Sequence, residues 1–197
     1  MTLTVETGAG LANADALASL ASVTSRWLKR GEAIRLEDGH DSFPGVSVNG
    51  VAYTDENVEA AIRRASTYLS ESYSWKGYRL HGRSTDGPYQ TMAWPRTGVT
   101  DREGHYVPSD SIPREIVWAV SIISLQELSD PNSIASPAYV STDRIKSEKA
   151  GDVQVVYDVS RTDPQVARPV LLEVGDMIAQ FISNSGGSRL SGAAQRG

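Results

Sequence analysis

The chain has 197 residues, of which 40% are hydrophobic, 22% charged and 7% aromatic. Those proportions suit one soluble domain with an ordinary core, and they exclude collagen-like, coiled-coil and wholly disordered chains. Nineteen basic against 24 acidic groups leave a formal charge of −5, and the absence of Cys excludes disulfides, thiol catalysis and thiolate metal sites.

No apolar run approaches the roughly 20 residues of a membrane span, so no membrane partner is expected. The opening Met1–Glu6 lacks a basic region and a long apolar stretch, so no signal peptide is expected. The expected location is the inside of a cell or a particle assembled there. Charge is uneven along the chain. Residues 1–59 carry 4 basic and 9 acidic groups, residues 60–96 carry 6 and 2, and residues 97–197 carry 9 and 13. A basic middle therefore sits between acidic flanks, either as solvated local charge or as a patch for an acidic partner or phosphate.

In chain order, Asn13 is a candidate cap for a first helix over 14–30. Its stripe would be Leu17, Leu20, Ala21, Thr24 and Leu28, and Gly31 would end it. Residues 32–53 read as an irregular surface excursion in which Val46, Val48 and Val51 could form a short strand or arm. Thr54 or Asp55 opens a second helix over 55–73, with Val58, Ala61, Ile62, Ala65 and Leu69 as its buried stripe. Residues 75–111 are rich in Gly and Pro yet carry many aromatics. This long loop is expected to pack down, anchored by Trp75 and Trp94. Pro113 suits the start of a third helix over 113–129, apolar nearly all round and so buried on most sides. Alternation around Gly151-Asp152 predicts a β-hairpin at about 144–157. A last helix is expected over 165–181, and Ser183–Gly197 form a Ser/Gly-rich tail. The expected fold is mainly α: a helical bundle with long packed loops, one β-hairpin and an extended C-terminal tail. Its domain would span 1–182, followed by a docking tail at 183–197.

Little in this chain points to catalysis. Gly8-x-Gly10 begins a dinucleotide-type pattern, but Asn13 stands where the third Gly would be, and no βαβ unit follows. His40, His81 and His105 lie in separate polar segments. Glu37, Asp38 and Asp41 lack the alternating spacing of a calcium loop. No enzyme activity, metal or cofactor is expected. For nucleic acid, Arg63, Arg64, Lys76, Arg79, Arg83 and Arg96 interleave with Tyr68, Tyr73, Trp75, Tyr78, Tyr89 and Trp94. Cations beside aromatic platforms can hold a single strand, although an isoelectric point near 5.2 opposes general affinity for phosphate.

Several segments taken in order carry a resemblance. They are Gly10-Leu11-Ala12-Asn13-Ala14-Asp15, Ala61-Ile62-Arg63-Arg64-Ala65 with Tyr68-Leu69, Tyr73-x-Trp75-x-Gly77 and Ala93-Trp94-Pro95-Arg96-x-Gly98-Val99. Asp101-Arg102-x-Gly104, Ile112-Pro113 and the Glu148-Lys149 hairpin follow. Over roughly residues 5–180 the chain resembles the head–tail adaptor (connector) proteins of tailed phages. Similar sequences are labelled DnaT-like single-stranded-DNA-binding proteins. The long 32–53 excursion and Leu17, where an aromatic is more usual, depart from the pattern.

The resemblance implies a structural, non-enzymatic adaptor in the virion neck, assembled in the host cytoplasm. About twelve copies would form a ring under the portal protein, joined to a tail or neck completion protein. Genomic DNA would pass through the lumen without tight sequence-specific binding. The tail would dock on portal, with Arg189 and Arg196 meeting acidic groups and Leu190 a small apolar pocket. The alternative function is that of a single-stranded-DNA-binding replication accessory protein.

Overall fold

The structure, a computed structural model, describes residues 2–36, 45–81, 89–131, 133–134, 147–150, 153–156 and 172–183. Its elements in order are α1 (Leu20–Arg30), β1 (Ile34–Leu36), β2 (Gly45–Val48), β3 (Val51–Thr54), α2 (Asp55–Ser72), β4 (Tyr78–Arg79) and β5 (Arg96–Thr97). Then come α3 (Arg114–Ser129), β6 (Ser147–Ala150), β7 (Val153–Val156), α4 (Leu172–Ile178) and a closing 3-10 turn, Ala179–Phe181.

These elements make a mixed α/β fold, not the expected helical bundle. The strands form three small antiparallel sheets: β1-β2-β3, β4-β5 and β6-β7. Much of the difference lies in the segment expected to be an irregular excursion. There Asn49 and Gly50 both take positive φ, 51° and 82°, which makes the two-residue turn favoured in hairpins. Val48 pairs with Val51 across it, and the ladder runs back to Gly45 opposite Thr54. Val46 and Val48, two residues apart on β2, are both buried. Tyr53 on β3 donates its hydroxyl to the Leu128 carbonyl at 3.0 Å. The segment is therefore a meander pinned to the helices. The β6-β7 pair joins Ser147 to Val156 and Ala150 to Val153, within the expected hairpin range.

Helix α2 lies close to its expected bounds, because its start signal is local. The Thr54 side chain accepts from the Asn57 amide while the Asn57 side chain accepts from the Thr54 amide, a reciprocal cap. Val58, Ala61, Ile62, Ala65 and Leu69 form its buried face. Helix α3 also begins and ends near expectation. It is the central helix, packed against α1, α2 and α4, with Ile116, Ala119, Val120, Ile123 and Leu128 buried.

Helix α1 starts six residues later than expected. Asn13 does not cap it, because residues 14–16 are engaged elsewhere. The Thr4 amide donates to Asp15 Oδ1 at 2.7 Å, the Glu6 amide donates to the Ala16 carbonyl at 2.8 Å, and Val5 and Ala16 form a parallel bridge. Ser19 is the cap, accepting from the Ser22 amide at 3.1 Å. The buried face is Val23, Thr24 and Trp27, while Leu28 is exposed. Trp27 decides that rotation: its indole is fully buried and donates to the Ser121 carbonyl at 2.9 Å. Of the last expected helix, the described part is α4 with the 3-10 turn, ending at Phe181; residues 165–171 lie outside the described residues.

The connection between α2 and α3 closes over an aromatic chain. Tyr73, Trp75, Trp94 and Phe181 meet in sequence, with ring centroids 5.8, 5.8 and 5.4 Å apart and the last two contacts edge to face. The expected anchors Trp75 and Trp94 are both buried there. Trp94→Ala should cost about 3–5 kcal/mol, read as a lower urea midpoint at unchanged m. Burial, followed by the influence of Tyr68, pushes the Tyr73 phenol up from 10.0 to about 12. The folded chain therefore favours the neutral phenol. That contribution should be complete below pH 10 and disappear between pH 10 and about 12. Tyr73→Phe should flatten the stability–pH curve in that window.

Candidate nucleic-acid interface

The basic middle of the chain is, in the fold, largely a set of structural ties. Arg63 on α2 gives Nε to Asp15 Oδ2 at 2.7 Å and lies 3.8 Å from Glu59, which fastens the N-terminal segment to α2. On the next residue, Arg64 Nε meets Oε1 of the fully buried Glu127 at 2.6 Å, joining α2 to α3. Lys76 Nζ donates to the Gln180 carbonyl at 2.7 Å, and its amide donates to the Phe181 carbonyl at 2.9 Å.

Arg96 is the most committed of these side chains. Its Nε donates to the Lys76 carbonyl at 2.7 Å, one terminal nitrogen to Ala93 at 3.1 Å and the other to Gly77 at 2.8 Å. Its pKa is lowered by burial and then by the nearby Arg79 charge. Arg79 gives a terminal nitrogen to the Gln90 carbonyl at 3.1 Å and is otherwise exposed. Of the expected basic patch, Arg63, Arg64, Lys76 and Arg96 are thus held within the chain, and Arg79 faces solvent. Arg83, and the tail residues Arg189, Leu190 and Arg196, lie outside the described residues.

The Gly8-x-Gly10 turn is also occupied from within. Glu6 is buried, and its Oε1 accepts from the amides of Gly8 at 3.0 Å and Gly10 at 2.9 Å, while Oε2 accepts from Leu11 at 2.7 Å. Backbone amides gathered around a turn form an anion-binding hollow, and here a carboxylate of the chain itself fills it. Gly8 takes φ +105° and lies hard against the Asp110 carbonyl, so no side chain fits there. His81 Nε2 sits 3.1 Å from the Ala9 carbonyl. His105 Nδ1 lies 3.5 Å from Asp101 and 3.6 Å from Glu103. No cluster of three metal-ligating side chains occurs among the described residues. His40, Glu37, Asp38 and Asp41 lie outside them.

What the same connection does expose is tyrosine. Tyr78 is 79% exposed, Tyr89 56% and Tyr106 81%. Tyr78 is on β4, paired with Thr97 of β5 and adjacent to Arg79. Tyr89 precedes Gln90, whose carbonyl receives Arg79. Tyr106 pairs with Thr100, three residues beyond Thr97. The α2–α3 connection thus exposes three phenol rings and the guanidiniums of Arg79 and Arg102, the latter donating to the Asp176 carbonyl at 3.0 Å. Tyr78 and Tyr89 belonged to the expected aromatic set. Tyr106 did not, because nothing local separates an exposed loop aromatic from a buried one.

A family model described as "Putative DnaT-like ssDNA binding protein" matches residues 1–197. The chain belongs to that family. No match was found among curated proteins or among solved structures. Family membership agrees with the single-stranded-DNA-binding label of the resemblance.

The Arg96 ties carry a direct test. Arg96→Lys keeps the charge but loses the planar fork, leaving at least one carbonyl among Lys76, Ala93 and Gly77 without its donor. A loss of about 1–3 kcal/mol is expected in chemical denaturation.

Proposed function

We propose that this protein is a non-enzymatic binding protein for single-stranded DNA. The match of the whole chain to a family described by that activity carries the reading. The exposed tyrosines of the α2–α3 connection support it physically. Stacking of a base on an aromatic ring contributes about 1–3 kcal/mol and tolerates any base. Tyr78, Tyr89 and Tyr106 offer such rings, and Arg79 offers one cation for a phosphate beside them. With most cations of the segment tied internally and a net charge of −5, stacking dominates over phosphate attraction.

That balance predicts an unusual salt dependence. Binding to oligo-dT, followed by fluorescence anisotropy, should fall with salt at a log–log slope of about −1 or shallower, since about one phosphate is neutralised. Tyr78→Ala and Tyr106→Ala should each weaken binding about 5-fold or more, with melting temperature unchanged. Arg63→Ala should lower the melting temperature and leave the affinity of the folded protein unchanged. Absence of oligo-dT binding at low salt would refute the reading.

A second reading is that of a structural head–tail adaptor in a tailed phage, an oligomeric ring of about twelve copies between portal and tail. It is favoured by the internal use of Arg63, Arg64, Lys76 and Arg96, which leaves few cations of that segment to hold passing DNA. Native mass spectrometry and the protein content of purified virions distinguish it. A ring present at the virion neck, with no affinity for oligonucleotides, would replace the first reading.

A further inference from the structure

Gln90 follows the exposed Tyr89 directly, yet only 2% of its own surface meets solvent. Both ends of its side-chain amide are engaged. Nε2 donates to the carbonyls of Met92 at 3.0 Å and Pro95 at 2.8 Å, and Oε1 accepts from the His81 amide at 3.3 Å. Its backbone carbonyl accepts a terminal nitrogen of Arg79 at 3.1 Å.

These bonds carry on where a strand pair stops. Strands β4 and β5 pair over two residues, Tyr78 with Thr97 and Arg79 with Arg96. One residue further, the Leu80 amide donates to the Pro95 carbonyl at 3.2 Å. The next amide, that of His81, meets the Gln90 side chain, whose Nε2 shares the same Pro95 carbonyl. A primary amide carries the donor and acceptor types of a peptide group, so Gln90 stands in for a rung of the ladder. The N-terminal turn backs this arrangement. The His81 ring lies 3.1 Å from the Ala9 carbonyl, and the Thr91 amide donates to the Leu11 carbonyl at 3.2 Å. One buried residue thus fixes two exposed stretches relative to each other: Tyr78-Arg79 on β4, and Tyr89 just before it.

We infer that Gln90 is a positioning residue for single-stranded DNA: buried itself, it holds Tyr78, Arg79 and Tyr89 in one arrangement for the strand to meet. The inference rests on the reading of this protein as a single-strand binder. Rings carried on a loose backbone must be ordered when a base stacks on them, which weakens binding, whereas rings already held in place need no such ordering. Glutamine suits the task because it donates twice and accepts at the same time, from a side chain without charge. No other standard side chain of that length offers the same set.

Affinity for oligo-dT, read by fluorescence anisotropy well below each variant's melting temperature, tests this. Gln90→Met keeps the volume and removes all three side-chain hydrogen bonds; folded, it should bind about fivefold more weakly or worse. Gln90→Asn keeps the amide on a shorter stem and should fall between the parent and Gln90→Met; it carries the test if Gln90→Met does not fold. Coupling separates positioning from stability. Tyr89→Ala should weaken the parent about fivefold, but each Gln90 variant by less than about twofold, because there the ring is no longer held. In Arg63→Ala, which is destabilised elsewhere, Tyr89→Ala should keep its full cost. Parent affinity in a folded Gln90 variant would overturn the inference. So would an undiminished cost of Tyr89→Ala in the Gln90 variants, which would make Gln90 a stabilising residue alone. A parent that does not bind oligo-dT would remove the single-strand reading itself, and this inference with it.

Discussion

The constraint on which this structure depends is the burial of an irregular backbone. Between α2 and α3 the described residues make two short paired strands, β4 and β5, and the chain closes over Trp94. Peptide carbonyls taken from water without a ladder partner are costly unless some donor reaches them. Side chains supply those donors. The Arg96 fork serves the carbonyls of Lys76, Ala93 and Gly77, and the buried Gln90 serves Met92 and Pro95 at 3.0 and 2.8 Å. Lys76 then ties the connection to Gln180 and Phe181, which completes the aromatic chain. The long loop, the core and the C-terminal turn therefore stand or fall together.

That accounting changes the meaning of the basic segment. A cluster of Arg and Lys among aromatics reads in sequence as a surface for phosphate. In the fold, most of those cations serve as internal cross-links, because a planar guanidinium satisfies several carbonyls or carboxylates at once. Three tyrosines and Arg79 are exposed on one connection, and Trp118 is partly exposed on α3.

Much of the helical framework was legible in the sequence. Thr54 or Asp55 marks the start of α2, the stripe Val58–Leu69 its buried face, and Pro113 the entry to α3. These signals act within one or two turns. Trp75 and Trp94 were legible as anchors because linkers do not carry such aromatics. The Asn49-Gly50 turn was a local hairpin signal too, flanked by Val46, Val48 and Val51. Gly50 reads as one more break among the Gly and Pro of the surrounding stretch, so a sheet was read as an excursion and the fold as a bundle.

The sequence by itself determined where short-range chemistry decides: the caps, the turn that pairs β2 with β3, the apolar faces of α2 and α3, and membership of the family. Tertiary structure alone decided the rest. Helix α1 begins at Leu20 rather than Ala14 because Thr4 and Glu6 hold Asp15 and Ala16 in a bridge. The face it buries follows from the bond between Trp27 and Ser121, 94 residues apart. Whether an arginine is a tie or a contact depends in the same way on partners such as Asp15 and Glu127, 48 and 63 residues away along the chain. Those pairings come from closure of the whole core, which no window of sequence contains.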